Sequence, residues 1–476
     1  MNHPPRILPH GFRDALSAAG VPDVESLCAA LATGDSPTSV RLNRTKGLVE
    51  GLPLGDAVPW CPGGYFLTDR PVFAHLPRWH AGLLYVQDSS SMALGAVVAE
   101  VVQRFYSDAP LTYLDACAAP GGKTIAAIEA LPQGSMVVCN EFEPRRANIL
   151  AENIAKWGAP GVVVTRGDTA RLTAACPAMF DIIGADVPCS GEGMMRKDSQ
   201  AIAQWSRGLI GRCAALQREI LDNLRPTLRP GGVLIYSTCT FNPSEDEDNV
   251  RYMAETFGWE PLEIKALEQY PEILRGIGSY PSYRFHPGRV RGEGLFIAVL
   301  RRPADDASER IRPKTGNKGK TRHATPVDSR LKASAEALVA RTLGPGYVPD
   351  IVGERLYAVP AEHHRTVHAL ADGGLDMLCR GIPVATVKGR DWQPCHELAL
   401  SRALRPEAAP RAVLPDAEII AYLRGEAVAM PDGTPTGYVL VCMADGVPVG
   451  WVKNLGRRAN NLFPQHLRLH TDPKSV

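Results

Sequence analysis

Two apolar runs in this chain each end in a thiol. The first, FDIIGADVPCSGEG (residues 180–193), places Asp186 and Cys189 just beyond a strand-like stretch, and the second, VLIYSTCT (233–240), does the same with Cys239. A free cysteine is usually a small buried apolar residue, and Cys28, Cys139, Cys176, Cys213 and Cys442 lie in apolar or helical contexts that suit that role. Cys189 and Cys239 instead follow strands and precede polar or small residues, where a thiolate has a use. Carbon 5 of a pyrimidine is a poor nucleophile. A thiolate adding to carbon 6 turns the ring into an enamine whose carbon 5 attacks a methyl sulfonium. A neighbouring acid, here Asp186, can hold a proton or hydrogen bond at ring nitrogen 3. A base must then remove the carbon-5 proton before the thiol leaves. Methylation of an amino group would instead call for an Asn/Asp-Pro-Pro-aromatic motif where DVPC stands.

A methyl donor needs its own site. The run YLDACAAPGGKTIAAIEAL (113–131) reads as a strand, a small-residue loop and a helix, an arrangement that lets backbone N–H groups approach a ligand closely. Three ligands compete for it. A phosphate-binding P-loop fits at Gly122-Lys123-Thr124, but Cys117 stands where its first glycine belongs. The dinucleotide pattern G-x-G-x-x-G is absent. S-adenosylmethionine, which has no phosphate, needs only a close-fitting loop. The following strands favour it. One ends at Glu141, nineteen residues after Gly122, where a carboxylate can accept both ribose hydroxyls, and the next ends at Asp168, within reach of an adenine amino group. An acid after a strand is more often a helix cap, so the weight rests on three successive strand ends acting together.

These residues require a sheet whose strands end at one edge. Apolar runs at Leu111–Ala116, Met136–Glu141, Val162–Thr165, Phe180–Asp186, Val233–Thr238 and Gly294–Leu300 alternate with helical patterns at Thr124–Leu131, Pro144–Trp157, Ala201–Leu228 and Glu245–Phe257. Such alternation predicts a parallel sheet covered on both faces, with Gly158 stopping the second helix. Residues 1–105 mix short helical patterns with turn-rich pieces. Residues 303–332 are polar, and 310–332 hold eight Lys or Arg against one acid, Asp328, which reads as a basic tether. Residues 335–476 return to globular composition with short β-like runs, an α+β region of one or two small modules.

A chain of 476 residues implies two to four domains. No window approaches the apolar length of a transmembrane helix, and the N-terminal twenty residues lack the pattern of a signal peptide. Eleven cysteines, an odd number without a C-x-x-C pair, argue against a disulfide framework or a Cys-rich zinc site and point to a cytoplasmic home with no metal. Net charge is +1, so any nucleic-acid surface must be local.

The sequence resembles the Sun-type RNA cytosine-5 methyltransferases, and among them the bacterial RsmF-like rRNA enzymes. The matching runs are LDACAAPGGKT, Asn140-Glu141, Gly167-Asp168, DVPCSGEGMMRKD, LQREIL, GGVLIYSTCTFNPSEDED and GEGLFIAVL, with SVRLNRTK and GLLYVQDSSSM towards the N-terminus and GYVLVCMADGVPVGWVKNLGRRANNLFPQHLR towards the C-terminus. The resemblance implies an α/β fold: a Rossmann-like S-adenosylmethionine methyltransferase core (106–302), an N-terminal RNA-binding extension (1–105), the basic linker (303–332) and a C-terminal PUA-like RNA-binding region (333–476). It implies that Cys239 is the nucleophile, that Cys189 assists release, that Asp186 contacts cofactor or cytosine, and that Lys123 orders the active site. Cys117, Ala118, Ala119, Pro120, Gly121, Gly122, Lys123, Glu141, Asp168 and Asp186 would bind S-adenosylmethionine. The implied substrate is RNA, with small-subunit (16S) rRNA ahead of tRNA; a monomer with no membrane partner is expected. A different class of reading is an RNA-binding assembly factor with dispensable catalysis, against which the complete thiol pair and cofactor loop argue. One departure is visible: the family often has Pro-x-Glu-Asn-Glu after the second thiol, and this chain has Asp246 in place of the Asn.

Overall fold

A ten-stranded sheet organises the centre of the chain. The computed structural model describes residues 6–47, 49–306, 329–389 and 391–470. The sheet runs in the order Leu274–Arg275, Tyr283–Phe285, Leu295–Arg301, Leu228–Thr238, Phe180–Asp186, Thr112–Asp115, Met136–Glu141, Val162–Arg166, Asp376–Arg380, with Glu260–Pro261 pairing beside Leu295–Arg301. The five strands between Leu228–Thr238 and Val162–Arg166 are parallel, so their carboxyl ends share one edge. Every residue of Met136–Glu141 is buried, as are all but the last of Phe180–Asp186. Alternate side chains feed two cores: Val137, Cys139, Ile182 and Ile235 on one face, Val138, Val163, Ile183 and Leu234 on the other. This is the continuous apolar burial expected of parallel strands between helices.

The helices follow their sequence signals closely. Pro144–Trp157 buries Ala147, Leu150, Ile154 and Trp157, one stripe at helical spacing. Glu143 caps it by accepting from the Arg145 and Arg146 N–H groups, and Gly158 ends it in the left-handed region at φ 77°. The pattern read as one helix over Ala201–Leu228 is two, Ser199–Gln204 and Arg207–Leu224, because the Ser206 side chain starts a new helix by accepting from Leu209 N. The strand around Val233–Thr238 begins earlier, at Leu228.

The flanking regions do not stand apart from this core. The N-terminal part builds a four-stranded sheet from Ser39–Leu42, Leu54–Ala57, Gly64–Leu67 and Leu84–Val86. The helix Ser89–Phe105 that follows packs Met92, Val97 and Val101 into the same core as Ile125 and Val137, so a boundary at 105 falls at the end of an element of the core. The C-terminal part holds two four-stranded sheets, built on Tyr347–Val352 to Pro394 and on Arg411–Val413 to Asn461, in keeping with two small modules. Yet Asp376–Arg380, from within the 333–476 region, adds an antiparallel strand to the edge strand Val162–Arg166 of the central sheet, supported by the Arg166–Asp376 ion pair. A strand edge left bare is a liability, and here the C-terminal region covers it. Most of the basic tether, 307–328, lies outside the described residues.

Candidate active site

The carboxyl edge of the parallel strands collects the residues singled out by the sequence. The loop after Thr112–Asp115 turns through Cys117–Gly121 into the helix Gly122–Ala130. Gly121 makes the turn at φ 111°, where a Cβ would also stand 3.2 Å from Leu150 Cδ1, so only glycine fits. The loop is held from three sides. Ala118 N donates to Asn140 O at 2.8 Å, and the Ala119 carbonyl accepts from Arg146 at 2.7 Å. The Pro120 carbonyl accepts from Asn153 at 2.8 Å and from the Tyr85 hydroxyl at 3.3 Å, while Gln87 donates to Gly122 O at 2.9 Å. Tyr85 and Gln87 belong to the N-terminal region, which therefore braces the loop directly.

Glu141, buried at the end of its strand, accepts from Ala119 N at 3.3 Å and from Glu143 N at 3.0 Å. Its carboxylate thus borders the small-residue loop on one side and the next turn on the other. Asp168 is exposed and caps the helix Thr169–Ala175 by accepting from Ala170 N at 2.9 Å, the ordinary duty of an acid at that place. Burial and the nearby Asp115, Glu141 and Asp186 carboxylates push the Cys117 thiol far up, so it stays protonated and serves the loop through its backbone.

The two thiols meet. Asp186 lies opposite Ser237 in the parallel register, so the loops leaving these strands emerge side by side, and Cys189 Sγ lies 3.2 Å from Cys239 Sγ. The hydrogen bond to Cys239, followed by burial, drives the Cys189 thiol well above its ordinary range. Either sulfur can donate to the other across this contact. Lys123, in the first turn of its helix, reaches across to Asp186 Oδ2 at 2.8 Å, and the Ser237 hydroxyl donates to Asp186 Oδ1 at 2.9 Å. Burial opposes the charge on Lys123, but attraction from Asp186 and hydrogen bonding to it outweigh that cost, with a further contribution from the Cys239 sulfur, and the ammonium is held charged. Two thiols in contact, near a fixed cation, form a setting for a thiolate nucleophile.

Asp246 does not disturb this arrangement. It is fully buried and accepts from the Thr238 hydroxyl at 2.6 Å, with Arg284 at 3.5 Å. Burial raises its pKa against the pull of Arg284, and that guanidinium also binds Glu247 and donates to Phe241 O at 2.7 Å. The extra acid is thus absorbed behind the strand ends. Sequence reasoning missed two other buried carboxylates, Glu192 and Glu245, whose signal is only that each lies a few residues beyond a thiol. A cleft of about 1880 Å³ lies elsewhere, at the amino ends of the strands, lined by Arg41, Trp60, Gln103, Ser135, Tyr270 and Arg402 among others and by neither reactive cysteine.

The sequence and fold have relatives. Residues 107–301 match the 16S rRNA methyltransferase RsmB/F family, residues 8–89 the N-terminal domain of 16S rRNA methyltransferase RsmF, and residues 411–469 the methyltransferase RsmF PUA domain. Ribosomal RNA small subunit methyltransferase F of Pectobacterium atrosepticum is 30% identical over 450 residues, covering 90% of this chain and 89% of that one. The protein of the same name from Escherichia coli O81 is 30% identical with 90% of each chain covered. The crystal structure of NSun6 from Pyrococcus horikoshii with SFG shares the fold, with a TM-score of 0.53 at 21% identity over 63% of this chain and 99% of that one. The Rossmann-like sheet, the loop that enters the helix at Gly122 and the relatives agree: the chain belongs to the RsmB/F family of S-adenosylmethionine-dependent rRNA methyltransferases.

Proposed function

We propose that this protein methylates carbon 5 of a cytosine in small-subunit (16S) rRNA through a covalent adduct on Cys239. The observation that carries the reading is the contact between the Cys189 and Cys239 sulfurs beside the Lys123–Asp186 pair. One thiol suffices for an ordinary packing role, and methylation of an amine needs none. Bound S-adenosylmethionine supplies an electrophilic methyl group. The residues that would hold it are the loop Cys117–Lys123, where the small Ala118, Ala119 and Gly121 would leave the backbone open to a ligand, with Glu141 for the ribose hydroxyls and Asp168 for the adenine.

The chain's own residues divide the remaining work. The Cys239 thiolate adds to carbon 6, forming a sulfur–carbon bond, while Asp186 stabilises the ring at nitrogen 3 as it gains electrons. Lys123 holds Asp186 in place and offsets the negative charge near the sulfur. Carbon 5 takes the methyl group, its proton passes to a base, and the electron pair of that C–H bond expels the Cys239 thiolate. Cys189 assists that release. The base must leave its stack to reach this edge, which favours unpaired or loop RNA. One copy of the chain contains every group named, so a monomer suffices, and a cytoplasmic site of action follows from an rRNA substrate. Among the described residues no helix is long and apolar enough to cross a membrane.

Bisulfite mapping of 16S rRNA and tRNA from a strain lacking this protein, with and without a restoring copy, tests the reading. A 16S cytosine that loses protection in the deletion strain and regains it on restoration is the expected result. Protection lost from tRNA instead moves the substrate to tRNA. No change in either, with ribosome assembly impaired, favours the assembly-factor reading.

A further inference from the structure

The two cysteine loops are tied to each other by two buried carboxylates in a reciprocal arrangement. Glu192 lies in the Cys189 loop, yet its Oε2 accepts from Phe241 N at 2.8 Å and from the Thr240 hydroxyl at 2.7 Å, both in the Cys239 loop. Its other oxygen accepts from Trp205 Nε1 at 2.9 Å. Glu245 lies beyond Cys239, yet its Oε2 accepts from Ser190 N, the residue next to Cys189, at 2.9 Å. Gln217 donates to the same oxygen at 2.8 Å and to Pro188 O at 2.9 Å, and Asn242 donates to Glu245 Oε1 at 2.8 Å. Both carboxylates are 0% exposed. The backbones touch as well. Gly193 N donates to Cys239 O at 2.8 Å, and a Cβ at Gly193 would stand 2.9 Å from that oxygen.

Burying two carboxylates among neutral donors is costly. Packing alone does not require it, because apolar residues of the same size would fill the space at less cost. What a carboxylate does that a neutral side chain does not is accept on both oxygens. For Glu245, three N–H donors converge from Ser190, Gln217 and Asn242; for Glu192, one oxygen takes the Trp205 indole and the other the Phe241 N–H. A glutamine in either place turns an N–H towards another N–H and leaves one grip open.

We propose that Glu192 and Glu245 are positioning residues, each gripping the other cysteine's loop, and that together they hold the two thiols at contact so that both address one pyrimidine ring. The assignment to a ring rests on the function proposed above; the control of thiol geometry does not. Neither carboxylate touches substrate: each acts through the backbone beside a cysteine.

The test separates the two. Wild-type protein, Glu192→Gln, Glu245→Gln, Thr240→Val and a control, Asp350→Asn, are treated with the dithiol oxidant diamide without RNA or cofactor. The two thiols lose two electrons and two protons to the diamide N=N bond and form a disulfide, and the Cys189–Cys239 peptide pair is followed by mass spectrometry well below each variant's melting temperature. Asp350 is a buried carboxylate of the C-terminal region, remote in sequence from both loops, and it pairs with Arg380. Its variant reports what general destabilisation does. The disulfide should form about tenfold more slowly in the two glutamine variants, the loss of one charge-assisted grip, and at the wild-type rate in Asp350→Asn. With target RNA and S-adenosylmethionine, the same variants should accumulate more denaturant-resistant protein–RNA adduct per methylated product released. Wild-type disulfide rates in the folded glutamine variants overturn the proposal. If those variants do not fold, Thr240→Val decides, because it removes one of the grips on Glu192 and keeps the side-chain volume; a wild-type rate there overturns it equally. Slow disulfide formation together with no carbon-5 methylation by any protein, wild type included, leaves the positioning role standing and removes the proposed reaction.

Discussion

The sulfur of Cys189 lies 3.2 Å from that of Cys239, at the ends of adjacent parallel strands. The contact lets both thiols address one ring, and the proposed mechanism gives them different work. If Cys239 attacks carbon 6, Cys239→Ala should methylate no RNA, since nothing else activates carbon 5. If Cys189 helps only after methyl transfer, Cys189→Ala should stall as a thioether-linked adduct, visible as a slow band on a denaturing gel with RNA and cofactor. Cys239→Ala and the double variant should give no band. A band from Cys239→Ala in place of Cys189→Ala would reverse the roles.

Asp186 takes a hydrogen bond from Ser237 and an ion pair from Lys123. Asp186→Asn keeps the shape and removes the charge, so it should abolish both methylation and the adduct seen with Cys189→Ala. Lys123→Met should leave Asp186 unpaired and lower adduct formation in the same assay. Full adduct yield from the doubly substituted Cys189→Ala, Asp186→Asn protein would show that addition does not need the acid.

Glu141→Ala should weaken S-adenosylmethionine binding about ten- to hundred-fold, the equivalent of roughly 1.5–3 kcal/mol for a charge-assisted pair of hydrogen bonds. The Ala119 and Glu143 N–H groups also lose their acceptor, so circular dichroism must first establish that the variant is folded. Unchanged affinity by titration calorimetry in a folded variant refutes the assignment to the ribose.

Much of this site was legible because the residues that carry it sit at strand ends. A run such as Phe180–Asp186 announces its own length by its apolar stretch, and the parallel order then aligns Asp186, Cys189 and Cys239 without further information. What stayed hidden depends on partners distant in sequence. Nothing in Asp376–Arg380 says that it completes a sheet whose edge lies 210 residues earlier, where Arg166 waits for Asp376. Glu192 reads as one more polar loop residue until Phe241 N is found against it. The single helix expected over Ala201–Leu228 fails for a local reason, since a serine in a helical pattern is also a cap, and only the turn at Trp205 decides which.

Asp115 offers a pH test of the core. Burial raises its pKa to about 7, against the hydrogen bond from the Thr124 hydroxyl at 2.6 Å. In the unfolded chain an aspartate titrates near 3.9, so between about pH 4 and 7 the folded state holds a proton that the unfolded state has lost. Stability contributed by this group is full below the lower value and falls as pH rises through the folded one. Asp115→Asn, which retains an acceptor for Thr124, should remove that dependence. The variant should gain on the wild type by an amount on the order of a few kcal/mol between pH 4 and pH 7. Denaturant melts at both values measure it, and a constant difference would contradict the raised pKa.

The C-terminal region has two separable duties, and they need different variants. Truncation after Arg302 removes Asp376–Arg380 and bares the backbone of Val162–Arg166, so its expected effect is a loss of stability along with any loss of RNA affinity. Arg457 and Arg458 are exposed beside the strand Ala459–Asn461, and their replacement leaves the sheet intact. If they contact phosphates, Arg457→Ala/Arg458→Ala should keep the wild-type melting temperature and weaken RNA binding. The slope of log affinity against log salt should then become shallower by about 1.4, two contacts at roughly 0.7 each for single-stranded RNA. An unchanged slope in a variant of unchanged stability would leave this region a purely structural part, the cover of an otherwise open sheet edge.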